Sequence, residues 1–552
     1  MTASLKKDTG DDNVSTFAGD HVPTTVLQTR RGLTPRHVQL MTIAGGIGVG
    51  LFVGVGGVLS KAGPLPLLIG YLIYGLGFIW PTCVNIAEML AWLPIRGSIY
   101  ELAARFVDPA LGFAMGWTYF YAGAMLVCTE YSAVATVMQY WNTDINPAVW
   151  IAMVMAVCFF LNMVAVRWYG EAEFVMGSTK ILLLIGLILA TFFTMVGANP
   201  TGEAYGFRNW KNGDMVHPYY TDGATGIFLS ICISVRYTIP RVAKMIAARI
   251  LLFYIVGILA VGILCNSRDS RLLGAIESGE AGAAASPWVL GLLNLGIKGF
   301  LPGLINFLIL LSGWSCGNAY LYSSSRTLYS LAQDGRAPKL FLKCTKSGVP
   351  WVCVTAVTII SLLSFLVASN SAGEVFSWFV DLTTVALVIN ATAMSLVFLG
   401  WCRALKAQGI VRQGENHFKK SLFRQSVAQP VPGIVFPYTV PCASWLPYVS
   451  ILIGTLTTIF IGFDTFKPWS TKGFITSYFG LAWFAFMFLF WKIFKGTRMA
   501  NAATVDIYAD GQKQAIDEEC RFWEEVLGQE SDREALKEKN VFVRAWARFW
   551  GA

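Results

Sequence analysis

Four ionisable residues sit where water should be scarce. Lys180 lies within the apolar run EFVMGSTKILLLIG, Glu130 within MLVCTEYSAV, Glu88 near the end of another apolar run, and Asp381 within a fourth. A charge placed in a bilayer is costly and usually functional. A buried lysine gives up its proton readily, which makes Lys180 a candidate proton carrier. Glu130 is the rival carrier, since a carboxyl can hold the same proton. The structural alternatives are a snorkelling lysine and a carboxylate satisfied by its neighbours. Glu88, closer to the interface, reads as structural. Ser312, Ser315 and Asn318 share an apolar run and could face a cavity, bind backbone or bridge helices.

A second feature needs no ionisable group. TIAGGIGVGLFVGVGG, residues 42–57, holds seven glycines in sixteen positions. Each glycine in a helix interior costs roughly 1 kcal/mol relative to alanine. Two readings fit. Gly46, Gly50 and Gly54, four apart, would give a smooth face for a neighbouring helix. Alternatively, the run breaks the helix at mid-membrane and offers backbone N–H groups to an anion. Seven glycines exceed the needs of packing, which favours the break. A nucleotide loop is excluded, because GxGxxG spacing and a strand–helix context are both missing.

The elements that must position these residues are membrane helices. The chain has 552 residues, 55% hydrophobic and only 14% charged, with mean hydropathy +0.55; soluble domains carry about 25% charged residues. Candidate spans fall at 38–60, 65–90, 110–141, 148–166, 172–197, 224–235, 248–265, 299–330, 351–370, 374–402, 441–463 and 471–493, twelve if the short sixth is allowed. Basic residues concentrate on alternate connections, among them Arg30, Arg31 and Arg36 before the first span and Arg336, Lys339 and Lys343 after the eighth. By the positive-inside rule both termini are cytosolic. The expected organisation is a cytosolic tail over 1–37, a transmembrane domain over 38–493 and a cytosolic tail over 494–552. In the last, DEECRFWEEVLGQESDREALKEK reads as a solvated helix with a stripe of Phe522, Trp523 and Leu527.

The eleven cysteines are scattered without a CxxC pair and read as small buried hydrophobes. The net charge of +9 sits at span ends rather than on one soluble face, so nucleic acid is not an expected partner. No HExxH helix, GxSxG elbow or paired metal-ligand cluster supports an enzyme or a metal site.

IAGGIGVGLFVGVGGVLSKAGPLPLLIGY at 43–71 resembles the first span of the fungal amino acid permeases, within the amino acid–polyamine–organocation superfamily. EMLAWLPIRGSIYELAARFVDPALGFAMGW at 88–117, GEAEF with Lys180, IPRVAKMIAARILLFYI at 239–255 and SGWSCGNAYLYSSSRTLYSLAQDGRAPKLF at 312–341 resemble further parts of that family, in order. The resemblance covers about residues 30–500. It implies an all-α fold of twelve helices, two five-helix inverted repeats and broken helices one and six. It implies a secondary active transporter that imports amino acids by proton symport, with the proton gradient rather than a cofactor as energy source. A plasma-membrane location follows. A permease-like sensor that binds amino acids without moving them is the alternative.

On this template the substrate carboxylate meets the N–H groups around Ile47, Gly48, Val49, Gly50 and Leu51, with Ser312 and Asn318 as further substrate contacts. Lys180 falls where some relatives replace a coupling sodium ion. The family usually has Thr or Ser where this chain has Val49, so the backbone donors are kept and a hydroxyl is lost. Arg336 and Asp334 could form a gate or an ion pair. The sixth span is short: GATGIFLSICISV gives thirteen residues before Arg236, against about twenty needed. About twenty residues of the family pattern are missing there, through a gene-model or splicing error or through genuine divergence. Side-chain selectivity and oligomeric state are not encoded in any pattern read here.

Overall fold

The structure is a computed structural model and describes residues 45–93, 97–142, 144–164, 166–211, 215–217, 248–277, 286–410, 445–466 and 468–508. The sixth span, the basic cluster Arg236 to Lys244, the first 37 residues and the Phe522–Leu527 stripe lie outside them. Helices α1 Gly50–Ala62, α2 Pro64–Trp92, α5 Pro147–Val164 and α7 Ala248–Leu264 alternate with longer ones, α4 Pro109–Met138, α6 Val166–Met195, α10 Phe300–Gln333 and α12 Ala372–Ala407. Short helices α3 Ser98–Phe106, α8 Ser270–Glu277 and α9 Pro287–Asn294 link them, and α11 Trp351–Ala368, α13 Leu446–Phe460 and α14 Thr471–Lys495 complete the set.

Nine of these helices are long and apolar enough to cross a membrane, and α1 and α7 are shorter apolar helices. Eleven of the twelve expected spans thus have a helix among the described residues. That is the arrangement a bilayer demands, because every backbone group in hydrocarbon must be bonded within its own segment.

Local sequence starts and stops these helices. Asp108 caps α4 by accepting from the amide of Ala110 at 2.8 Å, ahead of Pro109 in the first turn. Ser371 caps α12 by accepting from the amide of Glu374 at 3.2 Å. Ser470 does the same for α14, which ends at Gly496 with φ 56°.

Helix α4 is central and packs along both α10 and α12. Gly112 lets it approach α3, where a Cβ would lie 2.9 Å from the amide nitrogen of Ala104. Hydroxyls knit α2, α12 and α13: Thr82 lies 2.7 Å from Ser450, which lies 2.9 Å from Ser395. Interhelical hydrogen bonds of this kind hold helices where the hydrophobic effect between them is weak.

Arg336 pairs with Glu101 of α3 at 2.7 Å and stacks over Tyr100. The helix C-terminus turns at Gly335 (φ 67°), and the ion pair that Arg336 makes reaches Glu101 of α3.

Candidate functional site

The glycine run breaks the helix, but over a shorter stretch than the sequence suggests. Gly45 and Gly46 are helical, Ile47 and Gly48 are not, and helical backbone resumes at Val49. The first full turn after the break, Gly50–Gly54, is a π-helix. Val49, Gly50 and Leu51 were expected in the unwound stretch; here they open the next helix, so their N–H groups are those of a first turn.

Three carbonyls at the break, those of Gly45, Gly46 and Ile47, have side-chain partners. Tyr320 of α10 donates to the Gly45 carbonyl at 2.7 Å. Tyr254 of α7 donates to the Gly46 carbonyl. Ser312 donates to the Ile47 carbonyl at 3.0 Å, and the Cys316 thiol reaches the same oxygen at 3.2 Å. Beyond the break, Ser286 donates to Phe52 at 2.9 Å. Irregular backbone at membrane depth persists only when bonded in this way. Ser312 therefore binds backbone, one of the roles left open for it.

The N–H side of the break faces Glu130. Its carboxylate accepts from the Val49 amide at 3.5 Å, and a Cβ on Gly48 would collide with Oε1 of the same group. Val49 packs its branched side chain into the space that Gly313 leaves open on α10. Gly48, rather than the Gly46, Gly50 and Gly54 set, makes the close approach; Gly50 and Gly54 are half-buried. A cavity opens at this point. Gly46, Gly48, Gly50 and Glu130 line one part of it, and Tyr254, Tyr320 and Phe376 another.

Lys180 is fully buried, with Nζ 3.2 Å from the Cys316 sulfur. Cys316 thus stands between the lysine and the Ile47 carbonyl. Two turns earlier on α6, Glu173 is also fully buried and accepts from Ser315 at 2.6 Å, while its other oxygen lacks a hydrogen-bond partner. Asn318 accepts from Asn162 of α5 at 2.8 Å. It is not among the residues lining the cavity, and neither is Ser312. Glu88 is buried and Asp381 half-buried, both away from the cavity lining.

Sequence reasoning passed over Glu173, Cys316, Tyr254 and Tyr320. Glu173 carries the same signal as Lys180, an ionisable residue in an apolar run, seven positions earlier and so on the same helix face. The two tyrosines and the cysteine carry no such signal, because nothing in their local sequence marks them as partners of a broken helix elsewhere. One motif match also needs its context: GWSCG at 313–317 fits the G-x-S-x-G spacing of a nucleophile elbow. It runs through the middle of α10 and its Ser315 is bonded to Glu173, whereas an elbow requires a strained strand-to-helix turn. Among the described residues no group of His, Cys, Asp and Glu could hold a metal.

A bundle of membrane helices, one of them broken beside a cavity and buried charges, defines a polytopic membrane transporter rather than an enzyme. The chain belongs to the amino acid permease family, which it matches over residues 37–236 and 234–503. It is 35% identical to the proline-specific permease of Emericella nidulans, over 94% of this chain and 93% of that one. It is 34% identical to the proline-specific permease of Saccharomyces cerevisiae, over 85% and 76% of the two chains. To the general amino acid permease AGP2 of the same yeast it is 32% identical, over 82% and 77%.

Proposed function

We propose that this chain is a secondary active transporter that imports amino acids by proton symport at the plasma membrane, with both termini cytosolic and alternating access around the broken first helix. The observation that carries the reading is the break at Ile47–Gly48. The Gly45, Gly46 and Ile47 carbonyls are bonded to side chains, while the amide end opens on the cavity. An amino acid carboxylate suits such a helix N-terminus, where N–H groups and the helix dipole favour negative charge. Ile47, Gly48, Val49, Gly50 and Leu51 supply that end, and Ser312 fixes its shape by holding Ile47. Asn318 would act from behind, through Asn162, rather than on the substrate. Lys180 and Glu130, on either side of Cys316, are the proton-coupling groups.

The shortened sixth span belongs to the same proposal. The two parts of the family match overlap at residues 234–236, which fits a chain that lacks about twenty residues of a membrane span at this point. A chain without them would carry an incomplete second half of the site. Proline is the first substrate to test, since two of the relatives above are proline-specific permeases.

Radiolabelled uptake in a permease-deficient yeast tests the reading, with all twenty amino acids as competitors. Saturable uptake that increases at acid pH is expected once the sixth span is completed. Binding without uptake, even with the missing segment restored, would refute transport.

A further inference from the structure

The Glu130 carboxylate occupies the place that the proposed function gives to the substrate carboxylate. It faces the Val49 amide at the start of the resumed helix, and only the missing side chain of Gly48 gives it room. It comes from α4, across the cavity, and is 6% exposed. Two carboxylates cannot share these few N–H donors in a buried site, since like charges at close range strongly disfavour double ionisation.

We propose that Glu130 is a built-in competitor for the amino acid carboxylate, and that proton uptake by Glu130 is what vacates the amides for substrate. The inference rests on the reading above that the amino acid carboxylate binds at this break. The exchange balances. One proton from solvent adds to the Glu130 carboxylate, giving a neutral carboxyl that releases the Val49 amide. The amino acid carboxylate then takes the amide, and the site's charge is unchanged at that position. Substrate and proton bind together because either one alone leaves the site with an unbalanced charge.

Other groups bear on this carboxylate. Cys316 and Tyr320 of α10 interact with it electrostatically, and Cys316 also interacts with Lys180 and Glu173 of α6. Tyr254 of α7 interacts with Tyr320. Helix α12 presents Phe376 and Val380 to the same cavity, and the described part of the first span contributes Gly46, Gly48, Gly50 and Leu51. Bound substrate adds a negative charge at the amides, beside the Glu130 carboxylate. The proton affinity of Glu130 therefore rises on binding, and substrate affinity must fall as pH rises.

The test uses the full chain, purified into nanodiscs, with each of the twenty labelled L-amino acids titrated between about pH 5 and 8, L-proline first. In the wild type, affinity is expected to weaken by about tenfold per pH unit over the range where Glu130 is ionised, the slope for one linked proton. Binding in weakly buffered solution at the alkaline end should take up close to one proton per amino acid. E130Q should bind with an affinity independent of pH and no proton uptake. Absence of proton uptake by the wild type overturns the proposal without recourse to the variant. Uptake or a pH slope retained in E130Q overturns it in favour of another carrier. If no amino acid binds at any pH, the proposed function itself falls, and this inference with it.

Discussion

Gly48 shows how one hydrogen atom in place of a methyl group can define a site. A methyl there would project onto the Glu130 carboxyl, the end of a flexible side chain that can turn aside. Gly48→Ala is therefore expected to leave the melting temperature nearly unchanged. Amino acid affinity should fall by about tenfold or more, the weight of roughly one lost charge-assisted hydrogen bond. Gly313→Ala should behave differently. Its methyl would meet the buried branched side chain of Val49, which has few rotamers to escape into. Both stability and binding should fall, stability by about 1–3 kcal/mol as in other overpacked cores. Binding isotherms and thermal unfolding of the two variants, run side by side, separate the effects.

At the scale of elements, the N-terminal end of α4 does more than begin a helix. Asp108 caps it, accepts from Thr497 at 3.0 Å and pairs with Lys492 of α14. Burial raises its pKa, but the bonds from Lys492, the Ala110 amide and Thr497 outweigh that and hold it below the usual carboxylate value. A carboxyl with a depressed folded pKa stabilises above its unfolded pKa, and that stability disappears as pH falls through the folded value. Asp108→Asn should therefore lower stability at neutral pH by about 1.5–3 kcal/mol. It should also flatten the loss of stability on acidification below about pH 4. Melting curves of both proteins in detergent across that range check the sign. On the next turn of the same helix, Gly112→Ala would press a methyl against the backbone of α3, with Ala104 N 2.9 Å away. Backbone cannot turn aside, so a clear drop in melting temperature is expected, larger than for Gly48→Ala.

For the whole molecule, a polar girdle ties distant segments together. Arg336 after α10 holds Glu101 of α3, Arg105 of α3 reaches Asp506 at 3.6 Å, and Gln408 after α12 donates to the Val505 carbonyl at 2.6 Å. The Ala500 amide donates to Val107 at 2.8 Å. Segments from both halves of the chain are thereby fixed to one strip of tail. Above the girdle, transport would need both broken helices. Restoring about twenty residues of family sequence at the 235–236 junction, enough to complete a span, should raise amino acid uptake in permease-deficient yeast from near background to saturable. Equal uptake by the unrepaired chain would show that the short span suffices. The full-length transcript read through this junction tells whether the segment is encoded.

Much of this was legible in the residues. Apolar runs of about twenty, alternating basic connections and a glycine-rich first span specify membrane helices and a break, because bilayer thickness and backbone hydrogen bonding leave few other solutions. Lys180 and Glu130 stood out, since ionised groups are rare at that depth. The match to the amino acid permease family bears out the resemblance first seen in these motifs. The tertiary structure alone decided how long the break is and what satisfies it. Tyr320, Tyr254, Ser312 and Cys316 reach the carbonyls from helices more than 200 residues away in sequence. It also decided that Arg336 turns to Glu101 and that Asn318 turns to Asn162. Partners across a helix bundle depend on which faces meet and at what angle, and no local pattern of residue types carries that information.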